Sequence, residues 1–291
     1  MRRRAAALLL LAAGARAQPA ETAAEEEQAQ KALADYLADT MAILSHGSDH
    51  SKQQAAEGIY AMAVETTEGG PFHPLTFRNA AVQAGIIEQL VRLLEDSTRD
   101  AQKAALAALE AIATDDPTTE SDNGHAGMVC AAGAVPHIIR LLGSAEEDVQ
   151  VHAAGCAGVL AESPPCQTML TEMGAEELLA GLATYGNDVA KLHAVAALDL
   201  LGLNNPASHG RLAQAGGKAL LDGLQRYGGQ AMRSVTGGLA AGLSADGGAT
   251  RSVSVDAKAH AKQAHETRLK HSRLFTQATG VRRAYAPADV E

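Results

Sequence analysis

The stretch Val129-Cys130-Ala131-Ala132-Gly133-Ala134-Val135-Pro136 decides the fold, because its small-residue-glycine step leading into an apolar helix is repeated along the chain. It returns as Ala84-Gly85-Ile86-Ile87, Met173-Gly174-Ala175 and Ala215-Gly216-Gly217, with the glycines 48, 41 and 42 residues apart. The polar run from Asp115 to Asn123 reads as a surface loop and accounts for the longer first interval, leaving a period near 41. A period of roughly 20 to 50 residues is the mark of stacked repeats, each burying its apolar face only against its neighbours.

Each glycine is followed by apolar residues at helical spacing, such as Ile87, Leu90, Val91 and Leu94, or Val135, Ile138, Ile139 and Leu142. A polar turn comes next, and then an Ala-rich helix that begins with an acidic residue expected to cap its amide groups. The inward pattern of that helix recurs as Ala105, Ala108, Leu109 and Ile112, as Ala153, Cys156, Ala157 and Leu160, and as Ala194, Ala197, Leu198 and Leu201. Ser163-Pro164-Pro165 and Asn204-Asn205-Pro206 lead into a short helix ending at the next glycine, which makes three helices per repeat.

Period and pattern resemble the armadillo family. The resemblance spans roughly residues 50 to 245 and rests on the 129–136 stretch with Ile138 to Leu142, and on Asn204-Asn205-Pro206 leading to Ala213-Gln214-Ala215-Gly216-Gly217. It implies an all-α, right-handed solenoid of about four full repeats, marked by Gly85, Gly133, Gly174 and Gly216, plus a degenerate N-terminal cap. The domain reading is a signal peptide over 1–17, an acidic linker over 18–28, a capping repeat over 29–84, armadillo repeats over 85–247 and a basic tail over 248–291. Within the cap, helices are expected over Ala29 to Leu44 and Gln53 to Val64. The fourth repeat is weakest, because Gly228-Gly229 and Gly237-Gly238 lie in or beside its last helix and each interior Gly costs about 0.5–1 kcal/mol.

Composition agrees with stacked helices: of 291 residues 62 are Ala and 28 Gly, only 3% are aromatic, and Trp is absent. An all-β fold is excluded on that ground, and a net charge of −10 argues against nucleic-acid binding. The charge is unevenly placed. Residues 18–248 hold 12 Lys and Arg against 30 Asp and Glu, a balance of −18, while residues 249–291 hold 8 against 4, or +4. Such a body would attract cationic peptides or divalent cations, although solvating an Ala-rich chain is the simpler reading of its acidity. The tail either folds back on that body or stays mobile.

The amino terminus reads as an address. Arg2, Arg3 and Arg4 precede a short apolar run, Ala5 to Ala13, and Ala15-Arg16-Ala17 suits a signal peptidase cleaving after Ala17. The run is about half of what spans a bilayer, so no membrane span is expected and the protein is placed in the secretory pathway, secreted or in the endoplasmic reticulum lumen.

Armadillo proteins bind extended peptides or protein partners along a concave face lined by the last helix of each repeat. In the nuclear-import members a Trp and an Asn recur there. The matching positions are Ala107, Gly155, Val195 and Gly237 for the Trp and Ala111, Val159, Asp199 and Ala241 for the Asn, so both ladders are missing and that function is not carried over. These eight residues, with Lys103 and Glu110, are the candidate concave surface. The resemblance implies a non-catalytic, protein-binding scaffold for a protein or an extended, basic peptide. The alternative is an armadillo-like nucleotide-exchange factor for a seventy-kilodalton heat-shock chaperone, one branch of which carries a signal peptide. Some algal bilin lyases also use helical repeats, but scarce aromatics count against a bilin pocket.

Motifs for catalysis, phosphate cradling or a cofactor are absent from the sequence, and no metal site is expected. His46-Gly47-Ser48-Asp49-His50 reads as a solvent-facing turn rather than a metal site. His152 and His193 read as packing or backbone-bonding residues, while His260, His265 and His271 belong to the basic tail. Buried packing is the favoured role for Cys130, Cys156 and Cys166, with one disulfide as the alternative in an oxidising compartment.

Overall fold

The computed structural model describes residues 23–64, 74–114 and 124–227 together with positions 233 and 236. Among the described residues it contains thirteen helices and no strand, and the chain divides into two compact units between Ile112 and Ala113. The leader 1–17, the insertion 115–123, Gly228-Gly229, Gly237-Gly238 and the tail 248–291 lie outside the described residues.

The first unit holds α1 (Ala23–His46), α2 (Asp49–Val64), α3 (Pro74–Gln83), α4 (Ile86–Asp96) and α5 (Arg99–Ala113), the last residue of α5 falling past the division. Helix α1 begins inside the stretch read as a linker, because Ala23 to Gln28 contains only good helix formers and no breaker. Helix α2 also starts earlier than expected, which reduces the His46–His50 segment to a Gly47-Ser48 turn; there the Ser51 amide donates to Ser48 Oγ at 3.2 Å. Helix α3 packs on α1, α2 and α4 and precedes Gly85 as the short first helix of a repeat. Buried Arg78 on α3 donates from Nε to the Ala63 carbonyl at 3.1 Å, satisfying the end of α2. The rings of Tyr36 and Phe77 lie 6.3 Å apart in the same core, and burial pushes the Tyr36 hydroxyl above its ordinary pKa.

The second unit stacks α6 (His125–Ala131), α7 (Ala134–Leu142) and α8 (Glu147–Leu160), then α9 (Pro164–Glu172), α10 (Ala175–Tyr185) and α11 (Asp188–Gly202), then α12 (Pro206–Gln214) and α13 (Gly217–Tyr227). Helices α6 and α7 meet at 86°. The four repeat glycines share one geometry: φ is +76° at Gly85, +84° at Gly133, +79° at Gly174 and +85° at Gly216. Each glycine amide donates to the carbonyl three residues earlier, at 2.9 to 3.2 Å. A side chain there would strain this left-handed turn by about 1–2 kcal/mol, which explains why the residue recurs.

Pro164 and Pro206 occupy the first turns of α9 and α12, after Ser163 and Asn205 at the N-caps. At α5 and α11 the acidic residues expected to cap the third helices, Asp100 and Asp188, lie instead within the first turn, while at α8 Glu146 stands at the N-cap without a side-chain cap bond. Asn187 caps α11, accepting from the Val189 and Ala190 amides at 2.9 Å, and Thr98 Oγ1 accepts from the Ala101 amide at 3.4 Å at the start of α5. Carboxylates one position further in still complement the helix dipole.

Most of the apolar pattern read from the sequence is the observed core: Val135, Ile138 and Leu142 of α7, Ala153, Cys156, Ala157 and Leu160 of α8, and Ala194, Ala197, Leu198 and Leu201 of α11 are all buried, while Ile139 of α7 is half-exposed. Helices α8 and α11 pack closely through a glycine, since a Cβ at Gly158 would lie 3.4 Å from Ala197 Cα.

Candidate functional site

The candidate surface lies on the third helices. Lys103, Ala107, Glu110 and Ala111 are on α5, Gly155 and Val159 on α8, and Val195 and Asp199 on α11, whereas Gly237 and Ala241 lie outside the described residues. Helices α8 and α11 pack side by side, so the structure brings Gly155, Val159, Val195 and Asp199 onto neighbouring helices. Packing closes most of this set: Gly155, Val159 and Val195 are buried, and Asp199 alone of the four is half-exposed. On α5, Ala111 is buried while Ala107, Glu110 and Lys103 keep partial exposure, and Lys103 Nζ pairs with Asp100 at 2.9 Å. That pair is a surface ion pair worth little to stability. Of the four matched positions on α8 and α11, Asp199 is therefore the one open to solvent, beside small residues that the packing of the two helices has buried.

Within each unit, backbone ends are tied down by side chains at repeating positions. Gln102 Nε2 donates to the Leu94 carbonyl at 3.2 Å, and Gln150 Nε2, 48 residues later, donates to the Leu142 carbonyl at 3.1 Å. Each bond closes a carbonyl at the end of a second helix with a side chain from the third. Buried Gln167 on α9 donates to the carbonyls of Leu200 at 3.0 Å and Leu203 at 2.9 Å, holding the end of α11.

Two features join the repeats, the first outside the sequence reading and the second its alternative for the cysteines. Asn205 Nδ2 donates to Thr171 Oγ1 at 3.1 Å, and Thr171 in turn donates to Glu176 Oε1 at 2.8 Å, a carboxylate fully removed from solvent. The second is covalent: Cys130 of α6 and Cys166 of α9 form a disulfide with their Cα atoms 5.9 Å apart. This corrects the packing role favoured for the cysteines, because stacking of α6 on α9 turns the two side chains toward each other; only Cys156 is the buried free thiol expected. The signal for both was the register, since Thr171 follows Cys130 by one period of 41. His193 is buried and His152 half-buried, both with bonding partners, as their packing reading requires.

Comparison with known proteins agrees with this geometry. Residues 122–162 match the family description "Armadillo/beta-catenin-like repeat". Vacuolar protein 8 of Candida albicans is 26% identical over 138 residues, which are 47% of this chain and 22% of that protein, so the match spans about a fifth of its length. Among solved structures, a designed armadillo repeat protein in complex with the peptide (KR)4 superposes with a TM-score of 0.64 at 21% identity, covering 83% of this chain and 92% of that one. The armadillo repeats only protein from Plasmodium falciparum gives 0.55 at 17% identity, over 66% and 79%. No single described helix is long and apolar enough to cross a membrane. The fold is therefore that of armadillo-repeat proteins, an all-α solenoid, with residues 122–162 matching one such repeat.

Proposed function

We propose that this chain is a non-catalytic scaffold that binds an extended basic peptide segment across the third-helix face formed by α8 and α11. The observation that carries the reading is Asp199, the half-exposed acid of the four matched positions on this face, where Gly155, Val159 and Val195 are buried. That acid, set in a body of balance −18, attracts cationic side chains. A designed protein of the same fold that carries (KR)4 supports the choice of ligand.

The test is fluorescence anisotropy with a labelled (KR)4 peptide and an acidic control. Binding is expected for the basic peptide alone, weakening as salt rises, and becoming about tenfold weaker in Asp199→Lys. Equal binding of the acidic peptide, or no response to the basic one at low salt, overturns the reading.

We place this activity in the secretory pathway. The Arg2-to-Ala17 leader supports the assignment, and the Cys130–Cys166 bond accords with an oxidising compartment. The exchange-factor alternative rests on fold likeness and on the leader; labelled-ADP release from a lumenal seventy-kilodalton chaperone tests it, and no acceleration removes it.

A further inference from the structure

We propose that Cys130–Cys166 is a redox-closed staple that governs the stability of the seam between two consecutive repeats. The proposal stands apart from the peptide-binding reading, because it concerns the packing of α6 on α9 rather than the α8–α11 surface.

Position carries it first. Cys130 lies in the last turn of α6 and Cys166 in the first turn of α9, so the bond joins the equivalent short helices of neighbouring repeats. The 36-residue separation encloses α7 and α8 whole. The bond thus restrains the body of a repeat against its successor rather than closing a surface loop.

Register carries it second. Thr171 occupies in α9 the place that Cys130 occupies in α6, and Thr171 also bridges to the following repeat, through Asn205. The same position therefore holds two successive seams by different chemistry. That recurrence is what a seam-setting role requires and what an accidental meeting of two cysteines does not supply.

Burial carries it third. Cys130 is 6% exposed and Cys166 is fully buried, so a dissolved reductant reaches the bond only after α6 and α9 part. Cys156, the third thiol, is buried in α8 and shielded from exchange with the pair. A dithiol form also has a place: the Ala126 carbonyl lies 3.4 Å from Cys166 Sγ, ready to accept an S–H bond that the disulfide cannot donate. Closure takes two exchanges with a disulfide oxidant such as oxidised glutathione. One cysteine attacks it and releases a thiol, and the second cysteine then displaces the other thiol, so two protein S–H groups and one donor disulfide become one protein disulfide and two donor thiols.

The test begins by folding the full chain in a glutathione redox buffer, unfolding it in guanidinium with a maleimide, and weighing the product. One labelled cysteine is expected, Cys156, with residues 130 and 166 recovered in one cross-linked species. Three labels, or a bond involving Cys156, overturn the proposal. Hydrogen exchange then separates a staple from a passive bond. On reduction of the wild type, amides of α6 and α9 are expected to exchange on the order of a hundredfold faster, while those of α13 change little. Unchanged exchange at α6 and α9 overturns the role. The C130A/C166A variant should reproduce the reduced pattern, and reductant titration of the wild type carries the same measurement should that variant not fold.

Discussion

The seam between α6 and α9 and the seam between α9 and α12 occupy one register in consecutive repeats, yet they are closed differently. The first is a disulfide, Cys130–Cys166; the second is a chain of hydrogen bonds from Asn205 through Thr171 to the buried Glu176 carboxylate. The shared position lies on one side of each seam, at Cys130 and Thr171; the partners, Cys166 and Asn205, are three residues out of register with each other, so both the chemistry and the contact point differ. The two solutions also act on different states. The polar chain stabilises only while every member keeps its partner, whereas the disulfide acts largely by restricting the unfolded chain.

Converting one seam into the other gives the largest expected effect. Asn205 corresponds to Ser163, the α9 N-cap, which makes no side-chain cap bond. Removing the disulfide, whose partners are 36 residues apart, should cost about 3–4 kcal/mol in denaturant unfolding. The triple variant C130T/S163N/C166S supplies the Asn–Thr bond of the polar seam, Val135 standing where the Glu176 carboxylate would be, and should recover about 1 kcal/mol of that loss relative to C130A/C166A. Equal stability of the two variants would mean that register alone does not transfer the seam.

Breaking the polar seam at its centre comes next. Thr171→Val keeps the shape but removes the donor to fully buried Glu176 and the acceptor for Asn205. A loss of about 1–3 kcal/mol is expected, since a buried oxygen of Glu176 is left without its donor. The companion T171V/E176L should be less damaged than the single variant; a larger loss would place the energy in the Glu176 packing rather than in its bond.

These seams mark how far the sequence is legible. The left-handed turns at Gly85, Gly133, Gly174 and Gly216, the starts at Pro164 and Pro206 and the buried stripes of α7, α8 and α11 follow from local rules, so a single repeat suffices to read them. What lay beyond reading depends on stacking. Thr171 and Asn205 are 34 residues apart, and Cys130 had two candidate partners until α6 and α9 were placed together. The closure of Gly155 and Val195 likewise depends on what surrounds α8 and α11, which no window within one helix reveals. The mistaken caps had a different cause: an acid in the first turn and an Asn or Thr just before it both suit a helix start, and at α11 Asn187 takes the two amides.

The α8–α11 packing offers the smallest effect and the sharpest sign. Gly158 sits where a Cβ would meet Ala197 Cα at 3.4 Å and Leu200 Cδ1 at 3.7 Å, distances of ordinary contact rather than collision. Gly158→Ala therefore fits and gains helix propensity, and should stabilise by up to about 1 kcal/mol. Gly158→Leu needs room that Ala197 and Leu200 occupy, and should cost about 1–3 kcal/mol. If the staple holds the two repeats together while α8 and α11 part locally, the Leu penalty should be nearly the same in oxidised and reduced protein. A penalty that falls on reduction would mean instead that the disulfide forces the two helices against each other, and that the freed repeat relieves the crowding by shifting; thermal melts of Gly158→Leu with and without reductant decide between the two.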